Sequence, residues 1–160
     1  MKNIIILIVL LSVSIQLVGQ NKNQLDEIII SSINSYIEWN KDLVKRKISL
    51  MDTSHYYICM DGLPTNFPFV GIQDATFFSL NNLKGVPHSF KKKLKKGIKV
   101  LFVDVRLFNN QITIIVKGNG VEYVTNNNIN IEIGDWGIYT YEYSCQKKGW
   151  ELKGIQYGGI

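Results

Sequence analysis

The chain has 160 residues, of which 46% are hydrophobic and 19% charged, with only 3 prolines. This composition excludes a disordered, a collagen-like or a polytopic membrane protein, and the length fits one domain of ordinary size. The 18 Lys and Arg against 13 Asp and Glu give a net charge of +5, an excess that permits an anionic partner without requiring one.

The first residues predict a secretory signal peptide. Lys2 precedes the uncharged apolar run Ile4–Ile15, and the small residue Gly19 follows, which is the order found in cleavable signal peptides. The apolar run is short for the ~30 Å hydrocarbon core of a membrane, so an uncleaved anchor is the weaker alternative. We therefore predict a signal peptide over residues 1–19 and a single domain over residues 20–160, exported to the periplasm or secreted.

Residues 24–47 predict an amphipathic helix. Apolar side chains recur there at steps of three and four residues, which places them on one face: Leu25, Ile29, Ile33, Tyr36, Ile37, Leu43 and Val44. Acidic residues stand in the first turn and basic residues in the last, so both ends complement the helix dipole.

The middle of the chain predicts short elements joined by loops. His55–Asp61 is rich in aromatic and branched residues and ends at a Gly-Leu-Pro turn, so we expect a strand there. Thr65–Ala75 is expected to form a loop held by its aromatic side chains, and Phe77–Lys84 either a short strand or a helical turn. Ser89 is expected to cap a short helix that ends at Gly97.

The second half changes to a period of two residues, which is typical of strands. The predicted strands cover Val100–Leu107, Ile112–Val116, Val121–Val124, Ile129–Ile133, Ile138–Cys145 and Trp150–Tyr157. Turns are expected at Asn109–Asn110, Gly118–Gly120 and Gln146–Gly149. Helices first and then a meander of strands predict an α+β fold, in which the long helix and a short second helix pack on an antiparallel, curved sheet.

Cys59 and Cys145 predict a disulfide, because an exported chain with two cysteines leaves no odd thiol. A bridge closing a loop this long would stabilise the fold by roughly 4 kcal/mol in the chain-entropy model. Two buried free thiols are the alternative. Thiol catalysis is disfavoured because His55 would lie roughly 13 Å along the strand from Cys59. The His and Cys residues also lack the paired short spacings of zinc sites, so no metal or cofactor is expected.

Two carboxylates lie inside apolar predicted strands and are the candidates for acid-base chemistry, Asp61 and Asp104. Asp104 stands two residues from Arg106 on the same side of its strand, so a lateral ion pair is the simpler role. Asp61 precedes Gly62 and fits a turn.

A run of lysines without an acid spans Lys84–Lys99. Five of them lie on the predicted short helix: Lys91, Lys92, Lys93, Lys95 and Lys96. Such a helix would suit an anionic surface, a polysaccharide or an acidic exported protein, and a merely solvated helix face is the alternative. Nucleic acid is not expected, because the chain is exported and carries no nucleic-acid motif.

Tyrosines form a second candidate surface. Tyr139, Tyr141 and Tyr143 alternate along one predicted strand and point to one side, while Tyr57 shares a side of the first strand with Cys59. Tyrosine rings either line a ligand pocket or cover the edge of a core. These four tyrosines are the candidate ligand face.

Four segments resemble small exported proteins of Bacteroidetes whose activity is uncharacterised. They are Cys59–Pro64, Phe77–Leu80, Trp136–Cys145 and Tyr157–Ile160. This resemblance implies a small exported domain and no particular activity. The layout of a helix followed by a curved sheet is similar to the nuclear-transport-factor-2-like and cystatin-like folds. Similarity to the nuclear-transport-factor-2-like fold implies a pocket on the concave face of the sheet.

The sequence therefore predicts an exported, non-catalytic domain that binds an unidentified ligand through its tyrosines or its lysine helix. The alternative is a small pocket enzyme of the nuclear-transport-factor-2-like type, using Asp61 or Asp104 with a tyrosine or histidine. An enclosed pocket with a carboxylate beside such a group would favour the enzyme.

Overall fold

The structure, a computed structural model, describes the backbone of residues 2–48, 53–124 and 128–159, with side chains from Gln24 onward except that of Lys84. It contains two helices, α1 (Lys2–Lys45) and α2 (His88–Leu94), and two short 3-10 turns, Met60–Gly62 and Leu83–Gly85. The strands are β1 (Tyr56–Cys59), β2 (Ala75–Phe78), β3 (Ile98–Phe108), β4 (Gln111–Tyr123), β5 (Ile129–Ser144) and β6 (Gly149–Gly158). The predicted α+β class is confirmed.

The predicted signal peptide, residues 1–19, lies outside the residues whose side chains the structure describes, and it stays a prediction. Among the residues that the structure describes, no helix combines the length and the apolar character that crossing a membrane requires.

The six strands form one sheet in the order β2-β1-β3-β4-β5-β6. Neighbouring strands from β3 to β6 are antiparallel, as predicted. The prediction of a wholly antiparallel sheet is wrong for β1, which pairs in parallel with both β2 and β3. Parallel neighbours need long crossover connections. The segments 60–74 and 79–97, the latter containing α2, provide them.

From Gln24 onward, α1 packs on one face of the sheet, as its apolar spacing predicts. Ile29, Ile33 and Tyr36 are fully buried, and the same face continues through Asn40 to Leu43. These positions follow one another at steps of three and four residues, so they form a single stripe along the helix. Burying this stripe stabilises α1 against the sheet.

Of the three predicted turns, those at Asn109–Asn110 and Gln146–Gly149 join successive strands, and the one at Gly118–Gly120 is wrong. Asn109 and Asn110 join β3 to β4 with φ values of 46° and 60°, the left-handed conformation that a two-residue hairpin requires. At Gly118–Gly120 the chain does not turn, and β4 continues to Tyr123 opposite a single long β5. Two residues of β5, Ile133 and Gly134, face Asn119 there, so the glycine-rich stretch forms part of a β-bulge.

The short helix α2 is confirmed, but its predicted cap is wrong. The carbonyl of Pro87 accepts hydrogen bonds from the backbone N–H groups of Phe90 and Lys91, at 3.0 and 3.1 Å. Ser89 therefore lies inside the first turn and makes no side-chain cap. Gly97 follows the helix with a φ of 76°, the left-handed conformation predicted for its end.

Each face of the sheet carries its own apolar core. The larger core lies under α1 and includes Ile33, Ile58, Ile114 and Tyr139. The smaller core lies on the opposite face under α2, where Phe90 and Leu94 pack against Cys59, Phe78, Val100 and Val121. The two helices thus cover opposite faces, and β1 contributes to both cores because its side chains alternate.

The predicted disulfide is wrong, because Cys59 is a buried free thiol and Cys145 an exposed one. The register of the strands explains why Cys59 and Cys145 lie far apart. Cys59 pairs with Phe102 of β3, and the same row continues across the sheet to Trp136 of β5. Cys145 lies nine residues beyond Trp136, about 30 Å along the strand direction. Disulfides need Cα atoms closer than about 7 Å.

Candidate functional site

The four predicted tyrosines do not form one ligand face. Tyr139 and Tyr141 are buried under α1, where the Tyr141 hydroxyl lies 3.0 Å from Ser32 Oγ. Tyr143 is half-buried and packs against Trp150. Tyr57 lies in the cluster on the opposite face, under α2. Burial raises the pKa of Tyr139. The prediction of a single tyrosine surface is wrong because α1 covers the face on which it depended.

The two candidate carboxylates are both engaged by neighbours. Asp104 accepts hydrogen bonds from Arg106 at 3.0 and 2.6 Å, which confirms the predicted lateral pair. Asp61 accepts from the Ser79 hydroxyl at 2.5 Å and from the backbone N–H groups of Leu80 and Asn81 at 3.0 and 3.3 Å.

The pKa of Asp61 follows from these contacts. Partial desolvation raises it, but the hydrogen bonds from Ser79, Cys59 and the backbone outweigh that effect, and the pKa of Asp61 falls below its ordinary value. Asp61 is therefore a fixed carboxylate that ties the end of β1 to the segment after β2.

Four of the five predicted lysines, Lys92, Lys93, Lys95 and Lys96, are exposed, and Lys91 is half-buried. Lys93 differs from the others because its ammonium group donates a hydrogen bond to the Tyr57 hydroxyl at 2.9 Å. The same ammonium group lies 5.6 Å from the centre of the Tyr57 ring. One lysine of the predicted patch is therefore drawn toward the sheet.

A cleft of about 610 Å³ opens between α2 and the edge formed by β1 and β2. We call it the α2 cleft. Its apolar lining consists of Met60, Phe77, Phe78, Val86, Pro87 and Phe90. The volume is within the range of small-molecule sites, which are apolar cavities with a few placed polar groups. No described side chain lining this cleft is acidic.

The polar groups of the α2 cleft form a connected row. His55 Nε2 lies 2.8 Å from the Thr76 hydroxyl, and the His55 ring packs edge-on against Tyr57 with centroids 5.0 Å apart. Tyr57 also packs against Phe90 at 5.1 Å, and its hydroxyl accepts the hydrogen bond of Lys93. The tyrosine is thus held from two sides, and one positive charge stands at its hydroxyl.

The same row borders a second groove of about 440 Å³ at the start of β1 and β3. His55, Tyr57 and Lys93 line both spaces. Lys99 of β3 also lines the second groove, but its charge is already paired with Asp135. Among the described residues that line these two spaces, Lys93 is therefore the lysine that no ion pair joins to a carboxylate.

A polar network that the sequence did not predict lies where α1 meets the bulge of β5. Lys99 Nζ donates to Asp135 Oδ2 at 2.6 Å and to Asn40 Oδ1 at 3.0 Å. The Tyr36 hydroxyl donates to Asp135 Oδ1. Burial and the hydrogen bond to Asp135 raise the pKa of Tyr36. Each charge in this network has a partner, so its role is structural.

Two glycines make room for this network. A Cβ atom on Gly118 would overlap Lys99 and the Tyr36 hydroxyl and would lie 2.6 Å from Asp135 Oδ1. A Cβ atom on Gly134 would overlap the carbonyl oxygen of Gly118. The glycine-rich stretch therefore permits the close approach that aims Asp135 at Lys99.

Sequence reasoning missed both the α2 cleft and the network. The sequence indicates Lys93 only as one of a run of lysines, and His55 only as a disfavoured base for Cys59. Nothing in their spacing indicates that α2 would cover this edge of the sheet. Within the residues that the structure describes, no group of His, Cys, Asp and Glu is placed to hold a metal ion.

Comparisons of the chain with protein-family models, with curated proteins and with solved structures found no match. The α+β class is therefore established by the fold alone, and function has to be argued from the geometry of the sites.

Proposed function

We propose that this protein is an exported, non-catalytic binding domain whose ligand enters the α2 cleft. The observation that carries the proposal is the combination of a 610 Å³ apolar cleft with the fixed polar row of His55, Tyr57 and Lys93 along one wall. An apolar ligand body would bury surface against Met60 and Val86, which favours binding by about 25 cal/mol per Å² removed from water.

The alternative, a small pocket enzyme, has less support from the carboxylates. Asp61 does not line the cleft, and its hydrogen bonds lower the affinity of the carboxylate for a proton. Asp104 is bound to Arg106 and lies away from the cleft. A general base needs a reachable, unengaged lone pair and a pKa near the working pH.

The predicted lysine patch fits this proposal as an approach surface. Lysines on α2 and just after it would concentrate anionic ligands near the mouth of the cleft, an effect that decreases with ionic strength. Among these lysines, Lys93 lines the cleft and Lys92 does not. Comparing variants of Lys93 and Lys92 therefore distinguishes direct contact with the ligand from general electrostatic attraction.

The test uses N-phenyl-1-naphthylamine, an uncharged probe whose fluorescence increases in apolar sites. We expect one probe per chain, and we expect Ser89→Trp to weaken binding at least tenfold because Ser89 lines the cleft and an indole there fills it. Lys92→Trp is the matched control on the same helix and should bind as the wild type does. Absence of probe binding, or equal affinity in Ser89→Trp and the wild type, would overturn the proposal.

A further inference from the structure

We infer that the ligand of the α2 cleft is an apolar carboxylate, with its carboxylate group bound by Lys93 and its carbon body against the aromatic lining. This inference rests on the proposed function, and it adds the charge and chemical class of the ligand. It depends on three features of the cleft: one unpaired positive charge, a fixed donor beside it and an acid-free apolar lining.

The first feature is the charge of Lys93. Its ammonium group has three hydrogens, and one of them is directed at the Tyr57 hydroxyl at 2.9 Å. No ion pair joins Lys93 to a carboxylate within the described residues, and no acid lines the cleft. The remaining hydrogens are therefore available to an anion that the protein itself does not supply.

The second feature is the position of Tyr57. Its hydroxyl accepts from Lys93, so its own hydrogen is available to a second acceptor. Packing against His55 and Phe90 holds the ring in place. A carboxylate bridging the Lys93 ammonium group and the Tyr57 hydroxyl would receive two hydrogen bonds from groups that are already positioned, which lowers the entropic cost of binding.

The third feature sets the class of anion. Lys93 is the only lysine or arginine among the described residues that line the α2 cleft, so these residues offer one permanent positive charge. One charge matches a carboxylate, whereas a phosphate group carries close to two charges and is typically held by arginine or by several cations. The apolar lining, with Phe78, Val86 and Phe90, suits an alkyl or aryl body.

The experiment compares three ligands of equal chain length, decanoate, decanamide and decyl phosphate, by their displacement of N-phenyl-1-naphthylamine. We expect decanoate to bind about tenfold more tightly than decanamide, because a hydrogen-bonded charge favours the anion by roughly that factor. Decanoate should also bind more tightly than decyl phosphate. A preference for decyl phosphate would overturn the carboxylate assignment.

Variants of α2 identify which lysine produces the preference for decanoate. Lys93→Met should remove the preference for decanoate and leave decanamide affinity within about threefold of the wild type. Lys93→Arg, which keeps the charge, should retain the preference, and so should Lys92→Met, which removes an equal charge outside the cleft. Circular dichroism and thermal melting verify that each variant is folded.

The outcomes separate the two proposals. Equal binding of decanoate and decanamide, blocked by Ser89→Trp, would overturn the carboxylate inference and leave the binding function supported. If Lys93→Met and Lys92→Met reduce the preference equally, the charge effect is general attraction, and the assignment to Lys93 is overturned. Failure of the probe and of every ligand to bind would overturn both proposals.

Discussion

Replacement of Gly118 by alanine tests whether the network of Lys99, Asp135, Tyr36 and Asn40 stabilises the fold. The added methyl group would overlap Lys99 Cε and the Tyr36 hydroxyl and lie 2.6 Å from Asp135 Oδ1. Tyr36 is fully buried under α1 and has little room to move. We therefore expect Lys99 to be displaced from its ion pair.

The magnitude follows from the bonds that Lys99 makes. It donates to Asp135 and Asn40 at 2.6 and 3.0 Å, and a hydrogen bond to a charged group contributes about 1.5–3 kcal/mol. Loss of one bond and strain in the other cost about 3 kcal/mol. Alanine restricts the unfolded chain more than glycine does, and this effect restores about 0.5–1 kcal/mol to the free energy of unfolding. The net loss in the free energy of unfolding is then about 2 kcal/mol.

Urea unfolding at neutral pH, followed by tryptophan fluorescence, measures this loss. With a slope of about 2 kcal/mol per molar urea, the midpoint should fall by about 1 M. Gly154→Ala is the matched control, because Gly154 also lies in a strand and a Cβ atom there meets nothing within 4 Å. In a Lys99→Met background, Gly118→Ala should cost at least about 1 kcal/mol less. Equal stability of Gly118→Ala and Gly154→Ala would refute the reasoning.

Three further predictions concern the cysteines and the two carboxylates. In the native protein Cys145 should react with iodoacetamide and Cys59 should not, because Cys59 is buried and burial raises its thiol pKa; mass spectrometry showing two modified thiols before unfolding would contradict this. Asp61→Asn should destabilise the fold by about 1 kcal/mol, since it removes acceptor capacity at an exposed site. Because the folded pKa of Asp61 is lowered, this stabilisation is complete at neutral pH and disappears as the pH falls below about 4; a pH-independent difference in urea midpoint would argue against it. Arg106→Gln should change the free energy of unfolding by less than about 0.5 kcal/mol, because its pair with Asp104 is exposed to solvent, and a thermal melt lowered by many degrees would show otherwise.

The periodicity of the chain was enough to predict most of the elements. The stripe of α1 from Ile29 to Leu43, the hairpin at Asn109–Asn110 and the end of α2 at Gly97 all depend on local rules of spacing and backbone conformation. These rules act within a few residues, so a single sequence contains them. The predictions failed where the partner of a segment lay far along the chain.

The glycines at Gly118 and Gly120 illustrate such a failure. Their local preference favours a turn, but pairing with β5 satisfies the backbone groups of a continuous strand, and the irregularity becomes a bulge. The same pairing sets the network, because it brings Asp135 of β5 to Lys99 of β3 across the intervening strand β4. Spacing along the chain contains no information on that approach.

The net charge of +5 and the lysine run around α2 are properties of the sequence, because composition and local order specify them. The structure decided which lysine matters. Parallel pairing of β1 with β2 and β3 forces a crossover through α2, and that crossover lays Phe90 on the sheet and Lys93 on Tyr57. The sequence by itself therefore determined the class of fold and a basic helix. Only tertiary packing, which joins residues distant in the chain, created a cleft in which Lys93 has no carboxylate partner among the described residues.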